Sequence, residues 1–302
     1  MAKHLQKKIF MRIIVCVRGV LNVNTGLKMD FRTNTLDPKA YSYMPNPYDL
    51  AAIEAALRIK EHFGESKVTL LTLGPPAVED MLRRYLALGA QEGVRVWDEG
   101  LVELDSSVTS LLLALTARKL GYDLILCGRE SLDTHTAQVG PRMADLLDLP
   151  HVAAIAKLSI SSDKNEAIVE RKLERGDREV VRCSLPALFT VDTALNTPRY
   201  PTFPQRRKAW RMEIIKWSGS DLGLERPLEP MVKILNLSPP RPRPKKVFTP
   251  DSNLSAMERM KFLVSGGVAA KKSSETVEES PEAAASKVID FLHNEELLPH
   301  SR

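Results

Sequence analysis

Residues 122–141, YDLILCGRESLDTHTAQVGP, decide how this chain is read. An apolar, strand-like run from Tyr122 to Cys127 stops at Gly128. A polar loop from Arg129 to His135 follows, and helix-start chemistry begins at Thr136. In an open α/β sheet, ligands sit at the carboxyl ends of strands, against the loop and helix that come next. Free N–H groups at such a helix start attract phosphate through hydrogen bonding and the helix dipole. Loop hydroxyls and the Gln138 amide suit other polar parts of a ligand. Taken alone, the stretch is a candidate nucleotide site, with an ordinary capped strand–helix turn as the plain alternative.

The same alternation extends outward. Met11 to Val17 reads as a buried strand, followed by a long polar connection over 18–45 with turn signals at Asn24-Thr25-Gly26 and Asp37-Pro38. A connection this long is often functional or carries a small hairpin. Asn46 then suits an N-cap, Pro47 the first helical position, and Asp49 the positive end of the helix dipole. Leu50, Ile53 and Leu57 fall on one stripe of that helix, with Ile59 and Phe63 near its end. Strand Lys67–Leu73, a helix stopping near Gly89, strand 94–98, a helix over 106–120 and the strand at Tyr122 continue the series. Strands alternating with helices predict parallel βαβ units with right-handed crossovers, in a mostly parallel α/β sheet with helices on both faces. Cys16, Leu73 and Gly128 would then end strands at one edge, beside the helix start at Asn46.

From Val152 the pattern changes to four successive strand-like segments, expected as antiparallel additions to the sheet or a small second layer. Gly176 reads as a hairpin turn residue; an integrin-type reading of Arg175-Gly176-Asp177 is set aside. Beyond Thr193 the chain reads as basic loop, because Pro198, Pro201 and Pro204 exclude a continuous helix. Phe203 is a lone large apolar side chain there, either tucked onto its own domain or anchoring a partner. Arg241 and Arg243 alternate with prolines as an extended tether. Residues 264–281 have a mobile composition, and an amphipathic helix follows Ser280-Pro281. The expected organisation is a leader over 1–10, an α/β domain over 11–193, a recognition segment over 194–223 and an extension over 224–302.

The 302 residues, 43% apolar and 27% charged, suit a globular protein. No run reaches the roughly 18–20 apolar residues of a membrane span. The basic start lacks an apolar secretion core, and Cys16, Cys127 and Cys183 show no paired or metal-like spacing. Buried thiols in a reducing cytoplasm are expected. The six histidines form no metal pattern either, so no metal is assigned. The net charge of +5 is uneven: residues 199–246 hold twelve Lys/Arg against four Asp/Glu. Trp210 and Trp217 lie in this belt, but no nucleic-acid-binding signature accompanies them, and no nucleic-acid partner is expected.

Five segments together give the chain a family resemblance: RIIVCVRGV (12–20), Met44-Pro45-Asn46-Pro47-Tyr48-Asp49, Leu88-Gly89-Ala90, GRESLDTHTAQVGP (128–141) and LNTPRY (195–200). Over Arg12 to Gly223 it resembles the β subunit of the electron transfer flavoproteins. The resemblance implies an adenine-nucleotide-binding α/β subunit that pairs with an α subunit, which holds most of a redox-active FAD. The β subunit would bury a second nucleotide, AMP in conventional carriers and FAD in electron-bifurcating ones. Its site would fall on Cys16, Asn46, Pro47, Tyr48, Asp49 and Leu73, then Gly128, Arg129, Glu130, Ser131, Leu132, Asp133, Thr134, His135, Thr136, Ala137, Gln138 and Val139. The Thr136-Ala137-Gln138-Val139 run resembles bifurcating members, whereas Asp133-Thr134-His135 stands where those members commonly have Asp-Gly-Asp. Leu195, Tyr200, Phe203 and Lys208 would belong to a recognition loop that docks on dehydrogenases, with Phe203 in place of a leucine anchor.

The implied function is electron carriage between a flavin dehydrogenase, acyl-CoA dehydrogenase-type or other, and a downstream redox acceptor, a quinone-linked one included. A carrier needs no nucleophile or acid–base dyad, and no catalytic residue is assigned. Arg129 and His135 are candidates for tuning a bound flavin. The rival readings are an adenine-nucleotide-dependent ligase or hydrolase and a regulatory nucleotide-binding module. The ligase or hydrolase would need a phosphate loop or a metal-binding carboxylate set, which the sequence lacks.

Overall fold

The computed structural model describes residues 10–22, 29–30, 35–36, 43–98, 105–224, 228, 230–232, 254–264 and 280–294. All but the last residue of the leader, both turn signals of the 18–45 connection, the Pro-rich tether and nearly all of the stretch over 264–281 lie outside them. Strands in chain order are β1 (Met11–Cys16), β2 (Gly19–Leu21), β3 (Met29–Asp30), β4 (Thr35–Leu36), β5 (Tyr43–Pro45), β6 (Ser66–Leu73), β7 (Glu92–Val96) and β8 (Leu124–Gly128). They continue with β9 (His151–Ile160), β10 (Glu166–Lys172), β11 (Arg178–Ser184), β12 (Ala187–Val191) and β13 (Ile214–Trp217). The helices are α1 (Pro47–Phe63), α2 (Glu79–Leu86), α3 (Ser106–Leu120), α4 (Val139–Leu147), α5 (Phe203–Arg211), α6 (Ala256–Val264) and α7 (Pro281–Asn294).

Nine strands form one sheet in the order β11-β10-β9-β12-β8-β1-β6-β7-β13. Every neighbouring pair from β9 through β13 is parallel, and the β9–β10 and β10–β11 pairs at the other end are antiparallel. Ladder order runs outward from β1 to β6 and β7, then returns to β8 on its other side, so the switch point lies between β1 and β8. The expectation of antiparallel additions after residue 150 therefore holds for β10 and β11 but not for β12. That strand, with all five residues buried, inserts parallel between β8 and β9. A strand with no polar face needs cover on both sides, which only the sheet interior supplies.

Helices α1 and α2 cover one face and α3 and α4 the other. Alanines 51, 52, 55 and 56 let α1 lie close over β1 and β8, and Ile53 and Leu57 fill the space beneath it. Gly140 serves the same closeness on the opposite face: a Cβ there would stand 2.4 Å from Thr190 Cγ2. Among the described residues of the 18–45 connection, β2 pairs with β5 and β3 with β4 as two small antiparallel ribbons.

Two expectations for residues after 193 change. Phe203 begins a helix rather than sitting in a loop, because Thr202 and Gln205 form a capping box and Pro204 is tolerated in the first turn. Ile214–Trp217 adds an unforeseen parallel edge strand beside β7. The chain divides into two units, Met1–Pro239 and Pro240–Arg302. In the second, α6 and α7 expose Met257 and Met260, and Val288, Ile289 and Phe291, respectively.

Candidate functional site

The carboxyl ends of β1, β6 and β8, the start of α1 and the loop leading into α4 surround one cavity of about 350 Å³. That volume lies in the range of small-molecule sites. Of the expected positions, Cys16, Asn46, Asp49, Leu73, Gly128, Arg129, Glu130, Ser131, Thr136, Ala137, Gln138 and Val139 line it. Pro47, Tyr48, Leu132, Asp133, Thr134 and His135 do not. Tyr48, Asp133, Thr134 and His135 brace its lining residues instead. Tyr48 Oη donates to Glu130 Oε1 at 3.0 Å, and Asp133 pairs with Arg18 at 2.8 Å. Ser131 and Thr134 hydroxyls lie 2.7 Å apart, and His135 N–H donates to the Ser131 carbonyl at 2.9 Å. His135 Nδ1 is 3.6 Å from Glu130 Oε2, outside the cavity wall. Arg129, in contrast, lines the cavity while pairing with Asp192 at 3.4 Å.

The helix starts differ from their expected chemistry. Asn46 occupies the N-cap position of α1 without a side-chain cap bond. Its Nδ2 instead donates to Asp49 Oδ1 and to the Glu130 carbonyl, each at 2.9 Å, tying α1 to the loop after β8. Asn46 Oδ1 is buried with no partner. The α4 helix begins at Val139, three residues later than Thr136. Before it, His135 and Ala137 adopt left-handed backbone at φ 50° and 52°. Gln138 then returns to the right-handed region, and this alternation is the backbone pattern of an anion-binding nest.

Sequence reading missed further wall residues, among them Arg18, Tyr43, Thr72, Trp97, Thr109 and Cys127. Trp97 and Thr109 come from the β7–α3 connection and α3, which the chain's periodicity does not place beside β1. Cys127 was within reach, since it directly precedes Gly128; the structure makes it the ladder partner of Cys16. No group of three or more His, Cys, Asp or Glu with metal-holding geometry occurs among the described residues.

Asp49 is the buried charge centre of the wall. Its carboxylate accepts from Arg18 N at 2.8 Å, from Asn46 Nδ2 and from Gly128 N. Burial nevertheless outweighs these donors and pushes the carboxyl up to about 7 from an ordinary 3.8. Between those values the folded chain keeps a proton that the unfolded chain has released. The stability so conferred is complete below 3.8 and is lost as pH rises through about 7. Asp49→Asn is expected to flatten this slope, read as thermal midpoints taken from about pH 5 to 8. A variant curve parallel to the wild-type one would contradict the assignment.

The segment after β12 is fastened to α1 and α2. Asp192 caps the Thr193–Leu195 turn and also meets Lys172 at 3.4 Å. Asn196 Nδ2 donates to the Ala51 carbonyl at 2.9 Å, and Arg199 Nε meets Glu54 Oε2 at 2.7 Å. Arg83 Nη1 donates to the carbonyls of Ala209, Trp210 and Met212 at the far end of α5. Between these clamps Tyr200 is 90% and Phe203 79% exposed.

Comparison with known proteins agrees with this geometry. The electron transfer flavoprotein domain profile matches residues 35–222. The electron transfer flavoprotein subunit beta of Thermoanaerobacterium thermosaccharolyticum is 37% identical over 211 residues, 70% of this chain and 79% of that protein. The caffeyl-CoA reductase-Etf complex subunit CarD of Acetobacterium woodii is 37% identical over 230 residues, covering 76% and 85%. Protein FixA of Azorhizobium caulinodans is 36% identical over 223 residues, covering 71% and 78%. With a parallel-dominated α/β sheet and a cavity at its strand ends on one side and these similarities on the other, the chain belongs to the electron transfer flavoprotein family, as a β-type electron transfer subunit.

Proposed function

We propose that this chain is the nucleotide-holding, stationary half of a cytoplasmic heterodimer with an electron transfer flavoprotein α subunit. The heterodimer carries electrons between a flavin dehydrogenase, of the acyl-CoA type, and a further redox acceptor. The observation that carries this reading is the convergence of three strand ends, the α1 start and the 128–139 loop on a single cavity. The Acetobacterium relative, named as a subunit of a caffeyl-CoA reductase complex, favours a donor or acceptor that works on CoA thioesters.

The cavity's chemistry fits an adenine nucleotide. The backbone turn at Ala137 and Gln138, followed by the first N–H groups of α4, suits phosphate oxygens. Asn46 Oδ1, buried and unpartnered, offers an acceptor for a hydroxyl or amino group. Bound flavin supplies the electron-accepting ring. This chain's residues bind and orient the nucleotide, and Arg129 places a positive charge at the rim. Tyr200, Phe203 and Lys208, presented on a pre-organised segment, dock the dehydrogenase at a reduced ordering cost. Leu195, partly buried against the core, anchors the base of that segment.

The Thr136–Val139 run favours FAD as the second nucleotide. Co-expression with an α-type subunit, denaturation of the purified complex and chromatographic counting test this. Two FAD per heterodimer are expected. One FAD plus one AMP would keep the carrier and overturn the second FAD. A complex with no nucleotide beyond the α-bound flavin would overturn the assignment of the cavity.

A further inference from the structure

Two cysteines line the cavity, with the Met143 thioether behind one of them. Cys16 and Cys127 are ladder partners on the adjacent parallel strands β1 and β8, and both pack into the core on the α3–α4 face. Neighbouring strands stand about 4.7–4.9 Å apart, within the span that two cysteines can bridge. Cys16 Sγ donates to Met143 Sδ at 3.9 Å. Both cysteines line the cavity, so a small molecule entering it reaches them although little of either is exposed. Cys183 lies on β11, separated from β8 by three strands.

We propose that Cys16 and Cys127 form a bidentate dithiol site for trivalent arsenicals, with the Met143 thioether as a third soft contact. Soft sulfur ligands select soft, thiophilic centres. An organoarsenous acid carries two hydroxyl groups on arsenic. Each S–H bond breaks, each sulfur bonds to arsenic, and the two hydroxyls leave as water, with arsenic trivalent throughout. The product is neutral, as a buried floor requires. The neighbouring Cys16 thiol, together with burial, holds the Cys127 thiol well above its ordinary range. Reagents that need a thiolate are therefore disfavoured, while one that consumes two neutral thiols is not.

The test uses the full-length chain stripped of nucleotide, so that the cavity is open, treated with phenylarsine oxide. Remaining thiols are then tagged with N-ethylmaleimide under denaturing conditions and located by peptide mapping. Protection of Cys16 and Cys127 together, with Cys183 still tagged, is the expected result. 2,3-Dimercaptopropanol should restore both thiols, whereas an equivalent excess of 2-mercaptoethanol should not, which marks chelation without any variant. Cys16→Ala is expected to abolish protection of Cys127. Full tagging of both cysteines, protection of only one, reversal by the monothiol, or protection of Cys127 that survives Cys16→Ala would overturn the proposal.

Discussion

Gly128→Ala is expected to destabilise the chain by about 4 kcal/mol and to empty the cavity of nucleotide. An added Cβ would stand 2.2 Å from Asp49 Oδ1, 2.9 Å from Tyr48 Cβ and 3.2 Å from Asp49 N. Two of those neighbours are fixed at the start of α1, so they cannot move without moving the helix. Overpacking in a rigid setting costs about 1–3 kcal/mol, and the displaced carboxylate also loses donors worth about 1 kcal/mol each. Denaturant midpoints report the first effect, and the nucleotide recovered per purified complex reports the second. A wild-type midpoint together with full nucleotide content would show that α1 does not pack on the end of β8 as described.

Arg199→Met is expected to cost about 2–4 kcal/mol, chiefly through Glu54. Glu54 is buried, and Arg199 reaches it with Nε at 2.7 Å and Nη2 at 3.1 Å. Its other partner is Arg58, one turn along α1, at 2.8 Å. The Glu61 pair adds little because that carboxylate is 58% exposed. Burial pushes the Glu54 carboxyl up, but hydrogen bonds from Arg199 and Arg58 outweigh it and hold the group below its ordinary 4.5. The stabilisation is therefore present above 4.5 and lost as pH falls through the folded-state value. In Arg199→Met the acid limb should shrink, because much of the opposition to burial is gone. Urea midpoints at neutral pH and in the acid range separate this from simple loss of packing, which would lower both equally. The same variant should loosen the segment that presents Tyr200 and Phe203.

Much of the fold was legible along the chain. The helix over Ser106–Leu120 was placed to the residue, bounded by Asp105 and Gly121. Strands β1, β6, β8 and β9 to β12 were found where apolar, β-branched residues cluster between turn signals. Proline misled at α5: Pro204 was read as a breaker, yet the first turn of a helix has no N–H to lose there. The threonine and glutamine that flank it at capping-box spacing were the signal overlooked. The α4 start was placed early because Thr136 looks like a cap, whereas left-handed backbone at Ala137 delays the helix.

The sequence by itself determined the alternation of strands and helices, the prolines and glycines that punctuate it, and the family to which the motifs belong. These are local properties, written in periodicities of two and 3.6 residues. Only the tertiary structure decided which strands became neighbours, since periodicity carries no information about partners. From that one choice follow the insertion of β12, the arrival of Trp97 and Thr109 at the cavity, and the contact of Cys16 with Cys127. It also turned Asp49 from a helix-start charge into a buried acid, because burial is set by what packs on a residue and not by its neighbours in sequence.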